Sequence, residues 1–324
     1  MPVLQSNFTP SLPFKNGHFN TIYRPLFVKE DVNYERKRVI TWDHDFIDLD
    51  FSIVESNTLV LLIHGLEGSS SSSYMLTTTK YLNNNGFDTV CMNLRGCSGE
   101  DNLLLGTYHS GKTDDVDFVV NYLYENYSYE NIIIVGFSLG GNLTLKYLGE
   151  YAHIPNTVKG AIAVSVPVDL TTSQAELSKF KNKIYLSEFL KTMKSKLIAK
   201  AEQFPEFKLD RKLLAKASKF RHIEKQYTVP VFGFENSEDY WEKASSKPYI
   251  PEIKHPTLLI NSLDDSFLSK ECYPYEEAEK VDNFYLITPN YGGHVGFLSS
   301  FTKTENNWLE QKMVQFIKEK IDLV

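Results

Sequence analysis

The sequence predicts an α/β fold, a mostly parallel sheet covered by helices on both faces. Three observations carry this: continuous apolar runs recur along the 324 residues, stretches of helical period stand between them, and one alternating stretch precedes them. A short continuous apolar run suits a strand buried on both sides, whereas alternation suits a strand with one wet face. The first pattern in the chain, Arg38 to Ile53, alternates and reads as an antiparallel hairpin at the sheet edge. Buried strands follow in order: Leu59-Val-Leu-Leu-Ile63, Thr89-Val-Cys-Met-Asn93, Ile132-Ile-Ile-Val135, Gly160-Ala-Ile-Ala-Val164, Thr257-Leu-Leu-Ile260 and Phe284-Tyr-Leu-Ile287. Between the second and third, Val116, Val119, Val120 and Leu123 keep i, i+3, i+4, i+7 spacing behind Asp114 and Asp115, whose charge suits a helix N-terminus. Leu309, Met313, Ile317 and Ile321 form a second stripe near the C-terminus. Strands alternating with helices imply right-handed crossovers within a single domain spanning residues 1–324.

One region breaks the alternation. Residues 170–256 contain no strong buried strand, and residues 175–201 have helical period, with Leu186, Phe189, Leu190, Met193 and Leu197 on one stripe. Residues 179–225 hold 14 Lys or Arg against five Asp or Glu, a local balance of +9 in a chain of net charge −7. The rest of the chain therefore carries −16. A helical insertion of this kind is expected as a lid over the C-terminal edge of the sheet, where open α/β sheets bind ligands. Its lysines suit contact with an anionic membrane surface, although a solvated helix face explains them as well.

Composition narrows the function. With 42% apolar and 23% charged residues the chain can bury a core, and its acidity argues against a nucleic-acid binder. Three scattered cysteines suit a reducing compartment. The first 17 residues lack the basic-then-apolar layout of a signal peptide, and no apolar run approaches the roughly 18 residues that span a bilayer. These features give an expectation of a cytoplasmic protein. Eight histidines without H-E-x-x-H or Cys-x-x-Cys spacing give no expectation of a metal or other cofactor.

The chemistry concentrates at Gly136-Phe-Ser-Leu-Gly140, directly after a predicted strand and before the helical stretch Gly141 to Leu148. This strand–turn–helix context is that of a nucleophile elbow, in which glycines let strand and helix approach while the serine is pushed clear. Ser138 is the candidate nucleophile. A serine hydroxyl needs a base, and the base and its orienting acid are expected after it in the order acid, then histidine. His294 in Gly292-Gly-His-Val-Gly-Phe297 follows the last strand and is the candidate base. The acid lies at the end of the strand Thr257 to Ile260. Counting three residues from Ser262 selects Asp265, with Asp264 as an alternative whose other role would be to satisfy loop amides, and Asp169 as a further alternative. His64-Gly-Leu-Glu-Gly68 ends the first central strand and supplies an oxyanion loop, the expected donors being the backbone N–H groups of Leu66 and Leu139. His64 itself reads as structural. Arg95 either binds substrate or pairs with Asp114 or Asp115. Tyr108 and His109 either line a pocket or bond within their turn, and the segment around His18 reads as a strap across the body.

Together, Asn16-Gly-His-Phe-Asn-Thr-Ile22, Gly65-Leu-Glu-Gly-Ser69, Asn93-Leu-Arg-Gly-Cys-Ser-Gly99, Tyr108-His-Ser-Gly-Lys-Thr-Asp-Asp115, Gly136-Phe-Ser-Leu-Gly-Gly141, Ser165-Val-Pro-Val-Asp-Leu170 and Gly292-Gly-His-Val-Gly-Phe297 resemble the α/β-hydrolase superfamily and, within it, the YheT-like family. That family includes bacterial hydrolases and eukaryotic esterases or ester synthases of medium-chain acyl groups, lipases and phospholipases. The resemblance covers nearly the whole chain and implies Ser138, Asp265 and His294 as a triad. It departs at Asn20, where the family usually has Gln, and at Ser266, where Pro is common. The expected function is a serine carboxylesterase hydrolysing short- to medium-chain acyl esters, as small-molecule substrates, through an acyl-enzyme on Ser138. Acyl transfer by the same triad, or a non-catalytic receptor on this fold, are the alternatives.

Overall fold

The computed structural model describes residues 2–302 and 306–324. Among the described residues nine strands form one sheet: β1 (Val3–Leu4), β2 (Glu35–Ile40), β3 (Phe46–Ser52), β4 (Thr58–Ile63), β5 (Asp88–Asn93), β6 (Asn131–Phe137), β7 (Val158–Val164), β8 (Thr257–Ile260) and β9 (Phe284–Ile287). Their order is β1-β9-β8-β7-β6-β4-β5-β3-β2. Strand β3 runs antiparallel to both β2 and β5, and the other pairings are parallel. The alternating stretch is thus the edge hairpin, and the continuous runs are the central strands.

Strand geometry explains why those runs are continuous. Successive side chains point to opposite faces, so both faces need apolar residues when both are covered. Leu59, Leu61 and Ile63 of β4 enter the core on one face, and Val60 and Leu62 enter the core on the other. Ile132 and Ile134 of β6 separate in the same way from Ile133, Val135 and Phe137. The first face packs against α3 (Asp114–Asn126) and α4 (Leu139–Glu150), and the second against α2 (Ser73–Asn84) and α12 (Trp308–Lys320). Each fully buried aliphatic side chain contributes about 1.5–3 kcal/mol, and this burial holds the layers together.

Three features differ from the sequence expectation. Strand β1 pairs Val3 with Leu286 at the far edge, and its two residues are too few to show any period. Strand β6 is longer at both ends than its apolar run. Asn131 is buried at its start with Nδ2 donating to Thr58 Oγ1 at 3.1 Å, so a polar residue continues the strand. The helical stretch 175–201 is two helices, α5 (Leu170–Leu177) and α6 (Lys183–Gln203), joined through a 3₁₀ turn, Phe180–Asn182. The break is tertiary. Asn182 Nδ2 donates to Glu176 O at 2.9 Å and to Ser266 O at 2.7 Å, tying the turn to the loop after β8.

Between β7 and β8 stand α5, α6, α7 (Arg211–Lys216), α8 (Phe220–Glu224), α9 (Thr228–Phe232) and α10 (Ser237–Ala244). Leu186, Leu190, Leu197, Leu214, Phe220 and Ile223 give this segment a small core of its own. At the other end of the chain, α1 (Gly17–Phe27) lies against the loop after β9, and α11 (Tyr275–Lys280) precedes β9. Among the described residues no helix is long and apolar enough to cross a membrane.

Candidate active site

Ser138 sits where β6 gives way to α4, with φ 53° and ψ −117°. Positive φ is costly for a residue with a side chain and persists only when neighbours enforce it. Here the enforcement is the approach of strand to helix. A Cβ on Gly136 would stand 2.3 Å from Gly140 O, and one on Gly140 would stand 2.3 Å from Ile63 O. Both contacts are with backbone, so only glycine fits. Ser138 N–H donates to Val164 O at 2.8 Å, which ties the turn to the end of β7.

The loops after β8 and β9 bring the acid and the imidazole to this hydroxyl. His294 Nε2 lies 2.9 Å from Ser138 Oγ, and His294 Nδ1 lies 2.7 Å from Asp265 Oδ2. A carboxylate only accepts, so Nδ1 carries the proton, and Nε2 is left to accept from the serine hydroxyl. Asp265 is buried, and its Oδ1 accepts from Phe267 N–H at 2.9 Å, which orients the carboxylate. Phe267 also stacks on the imidazole, with ring centroids 4.2 Å apart. Asp264 faces elsewhere: its Oδ1 accepts from Gly293 N–H at 2.8 Å, and burial raises its pKa above the ordinary carboxylate value. Asp169 caps α5, accepting from Thr172 N–H at 2.9 Å. Of the three candidate acids, only Asp265 is hydrogen-bonded to His294 among the described residues.

The loop after β4 passes over the nucleophile so closely that a Cβ on Gly65 would stand 3.1 Å from Ser138 Cβ. Tyr74 hydroxyl accepts from Gly65 N–H, and Tyr108 hydroxyl accepts from Glu67 N–H, both at 2.9 Å. Among the described residues Leu66 N–H between them has no acceptor, and Leu139 N–H, in the first turn of α4, has none within its helix. His64 braces this loop: its Nε2 accepts from Leu94 N–H at 3.0 Å and its Nδ1 donates to Gly65 O at 2.7 Å. Burial lowers its pKa to about 4, so the ring is neutral.

A cavity of about 130 Å³ opens at Ser138 and His294. Leu177, Phe189, Met193, Leu197, Phe220 and Ile223 from the helical segment, with Leu66 and Leu139, give it an apolar wall. Polar groups interrupt that wall. Lys196 of α6 pairs with Glu67 at 3.1 Å, and Tyr108 hydroxyl donates to Glu67 Oε1 at 2.6 Å. Lys200 donates to Asn102 O and Leu104 O at 2.6 and 2.8 Å. Glu224, buried, accepts from Trp241 Nε1 at 2.9 Å, and burial pushes its pKa up to about 7.

The remaining sequence candidates find definite places. Arg95 pairs with Asp115 at 2.7 Å, and also with Asp43 at 2.8 Å and Asp45 at 3.1 Å. Asp114 instead pairs with Lys112. Arg95 is therefore a buried structural hub, although it also borders the cavity. Both readings of His109 hold: it lines the cavity, and its Nδ1 accepts from Gly111 N–H at 3.1 Å. His18 reaches α6 instead of lying only across the body, its Nδ1 standing 3.1 Å from Tyr185 hydroxyl. Sequence reasoning missed the supports of the histidine loop. Thr21 Oγ1 accepts from His294 N–H at 2.8 Å, and Ser165 Oγ accepts from Val295 N–H at 2.9 Å. Both lie in sequence blocks that carry the family resemblance, and that was their only signal.

Residues 58–301 match the family model described as alpha/beta hydrolase fold. Human Phospholipase ABHD3 is 28% identical over 99% of this chain and 81% of its own length. YheT of Escherichia coli (strain K12) is 28% identical over 96% of this chain and 93% of its own. The Monoacylglycerol lipase of Saccharomyces cerevisiae is 28% identical over 82% of this chain and 60% of its own. Among solved structures, the Pyrococcus furiosus esterase Pf2001 superposes with a TM-score of 0.58 at 18% identity, covering 89% of this chain and 92% of that one, which speaks to the fold. With its sheet order, its glycine-bounded serine turn and a family match spanning most of its length, the chain belongs to the α/β-hydrolase fold family.

Proposed function

We propose that this protein is a serine carboxylesterase that hydrolyses short- to medium-chain acyl esters through an acyl-enzyme on Ser138. The observation that carries the reading is the 2.9 Å contact between Ser138 Oγ and His294 Nε2, on a ring whose other nitrogen is bonded to Asp265. In the proposed reaction Ser138 Oγ attacks the ester carbonyl carbon while its proton passes to His294 Nε2. The carbonyl oxygen becomes an oxyanion, held by the N–H groups of Leu66 and Leu139. The tetrahedral adduct collapses, the bond to the leaving alkoxide breaks, and His294 returns the proton to it. Water then repeats the sequence on the acyl-enzyme, releasing the acid and restoring the serine. Asp265 keeps the imidazole in the productive tautomer and stabilises its cation.

Helices α5–α10 act as a lid in this reading, supported by the apolar side chains they contribute to the cavity wall. Such a wall suits an acyl chain, and the names of the relatives, a phospholipase and a lipase, point to lipid esters. The same segment supplies a contact with anionic membranes. Phe180 and Ile184, 89% and 70% exposed, stand beside Lys179, Lys181 and Lys183 on the turn tied to the acid loop. The three cysteines, all free and buried, support a cytoplasmic, reducing location in this reading.

The test is hydrolysis of p-nitrophenyl butyrate and octanoate. Ser138→Ala should abolish turnover and labelling by a fluorophosphonate probe. Full activity in that variant refutes the assignment, and a wild-type protein that neither turns over nor labels supports a non-catalytic receptor. Added ethanol separates hydrolysis from acyl transfer through the ratio of acid to ethyl ester.

A further inference from the structure

The loop that carries His294 cannot hold its own shape. It runs through φ +150° at Gly292, +58° at Gly293, +56° at Val295 and +48° at Phe297. Left-handed backbone at a β-branched residue and at a phenylalanine is disfavoured, so contacts from outside must over-determine this loop. Asp264 holds Gly293 N–H, Ser262 holds Gly293 O and Ser165 holds Val295 N–H, and helix α1 supplies a further set that reaches His294 N–H, Val295 O and both backbone groups of Leu298.

The grip is residue by residue. Thr21 Oγ1 accepts the backbone N–H of His294 itself at 2.8 Å, and the threonine hydroxyl donates to Gly17 O at 2.7 Å, which fixes its rotamer. Asn20, fully buried, accepts from Leu298 N–H and donates to Leu298 O, both at 3.0 Å, and its amide also donates to Phe14 O at 3.0 Å. Arg24 donates to Val295 O at 3.4 Å and is anchored by a fully desolvated ion pair with Glu310 of α12 at 2.8 Å. Steric fit matches the polar fit. A Cβ on Gly293 would stand 2.3 Å from Gly17 O, and one on Gly296 would stand 2.3 Å from Asn20 Oδ1. The N-terminal end of the helix also abuts the acid loop, where a Cβ on Gly17 would stand 2.4 Å from Asp264 O.

We propose that helix α1 is a positioning element of the histidine base, with Thr21, Asn20 and Arg24 as positioning residues that help set the imidazole between Ser138 and Asp265. The assignment rests on the esterase reading for its kinetic consequence but not for its geometry. Thr21 does not line the cavity at Ser138 and His294, so its effect on the chemistry passes through His294. It also gives a function to a sequence block, Asn16 to Ile22, that the chemistry of the triad leaves unexplained.

The test uses Thr21→Val, which keeps the side-chain shape and removes the acceptor, beside Thr21→Ser, which restores it. For Thr21→Val, kcat per fluorophosphonate-titrated site should fall at least about tenfold with KM within about twofold, since a displaced base weakens the chemical step and not ground-state binding. The acid limb of the kcat/KM profile should move to lower pH, because an imidazolium less well seated against Asp265 is less stabilised. Thr21→Ser should recover both. Titrating sites removes misfolded protein from the comparison. Proton NMR of the His294 Nδ1–H in wild type and variant supplies a readout independent of activity: its resonance should shift or broaden in Thr21→Val. Unchanged kcat per site, or an unchanged Nδ1–H resonance, overturns the proposal. A wild type with no activity overturns only the esterase reading, and the resonance still decides the role of α1.

Discussion

Replacing Asp265 by Asn changes one atom pair, and the structure dictates which way the amide must face. Asp265 Oδ1 accepts from Phe267 N–H, and only a carbonyl oxygen can keep that bond in the variant. The amide nitrogen is therefore turned toward His294 Nδ1, where Oδ2 stood at 2.7 Å. An N–H group donates, so Nδ1 must now accept, and the ring proton moves to Nε2. In that tautomer Nε2 points a proton at Ser138 Oγ instead of a lone pair, and the base is lost while the geometry survives. A wrong-tautomer imidazole, together with the loss of the anion that stabilises its cation, costs about 10³–10⁴ in kcat, or about 4–5.5 kcal/mol of barrier. The assay is steady-state hydrolysis of p-nitrophenyl butyrate, with circular dichroism and thermal melts to establish an intact fold. Asp264→Asn is the paired control. Its Oδ1 accepts from Gly293 N–H, a bond the asparagine oxygen can keep, so its loss should stay below about tenfold. A loss under tenfold in Asp265→Asn, or a larger loss in Asp264→Asn, refutes the reasoning.

Three further perturbations probe other parts of the structure. In Gly140→Ala the new Cβ meets Ile63 O at 2.3 Å and His64 O at 2.5 Å, both backbone, so β4 and α4 must part; the loss of stability should be about 2–4 kcal/mol by urea denaturation, and a loss under about 1 kcal/mol contradicts the packing argument. For Glu224, burial raises the folded-state pKa to about 7, so between the ordinary glutamate range and that value the unfolded chain releases a proton the native state keeps, and stability falls as pH rises. Glu224→Gln retains an acceptor for Trp241 and removes this titration, so its Tm relative to wild type should climb from about pH 5 to about pH 7.5; a difference independent of pH refutes the raised pKa. Wild-type protein should sediment with phosphatidylserine vesicles in a salt-sensitive way and Phe180→Ser/Ile184→Ser should not; equal sedimentation of both, or none, removes the membrane contact.

Much of the architecture was legible because a two-sided sheet imposes a visible constraint. Residues such as Leu59 to Ile63 must be apolar on both faces, and strands β8 and β9 coincide with their apolar runs. The serine turn was legible for a related reason: crowding at Gly136 and Gly140 leaves no room for a side chain, and glycine at fixed spacing records that crowding. The break between α5 and α6 left no such mark, because it depends on Asn182 meeting Ser266, 84 residues away. Strand β1 was equally silent, since two residues cannot display a period.

Local pattern and chain order determined the α/β fold, the candidate nucleophile and the candidate base, because each requires particular residue types at short range. Counting along the chain favours Asp265 over Asp264, and three-dimensional packing brings Asp265 to the imidazole. Asp264 and Asp265 are adjacent and chemically identical, and only the path of the loop after β8, with Phe267 N–H and Gly293 N–H drawing one carboxylate each, assigns them different partners. Packing alone also brought Thr21 to His294 across 273 residues of chain and Lys196 to Glu67 across 129. Contacts at that separation are set by how helices and loops fill space around a sheet, and no local periodicity encodes them.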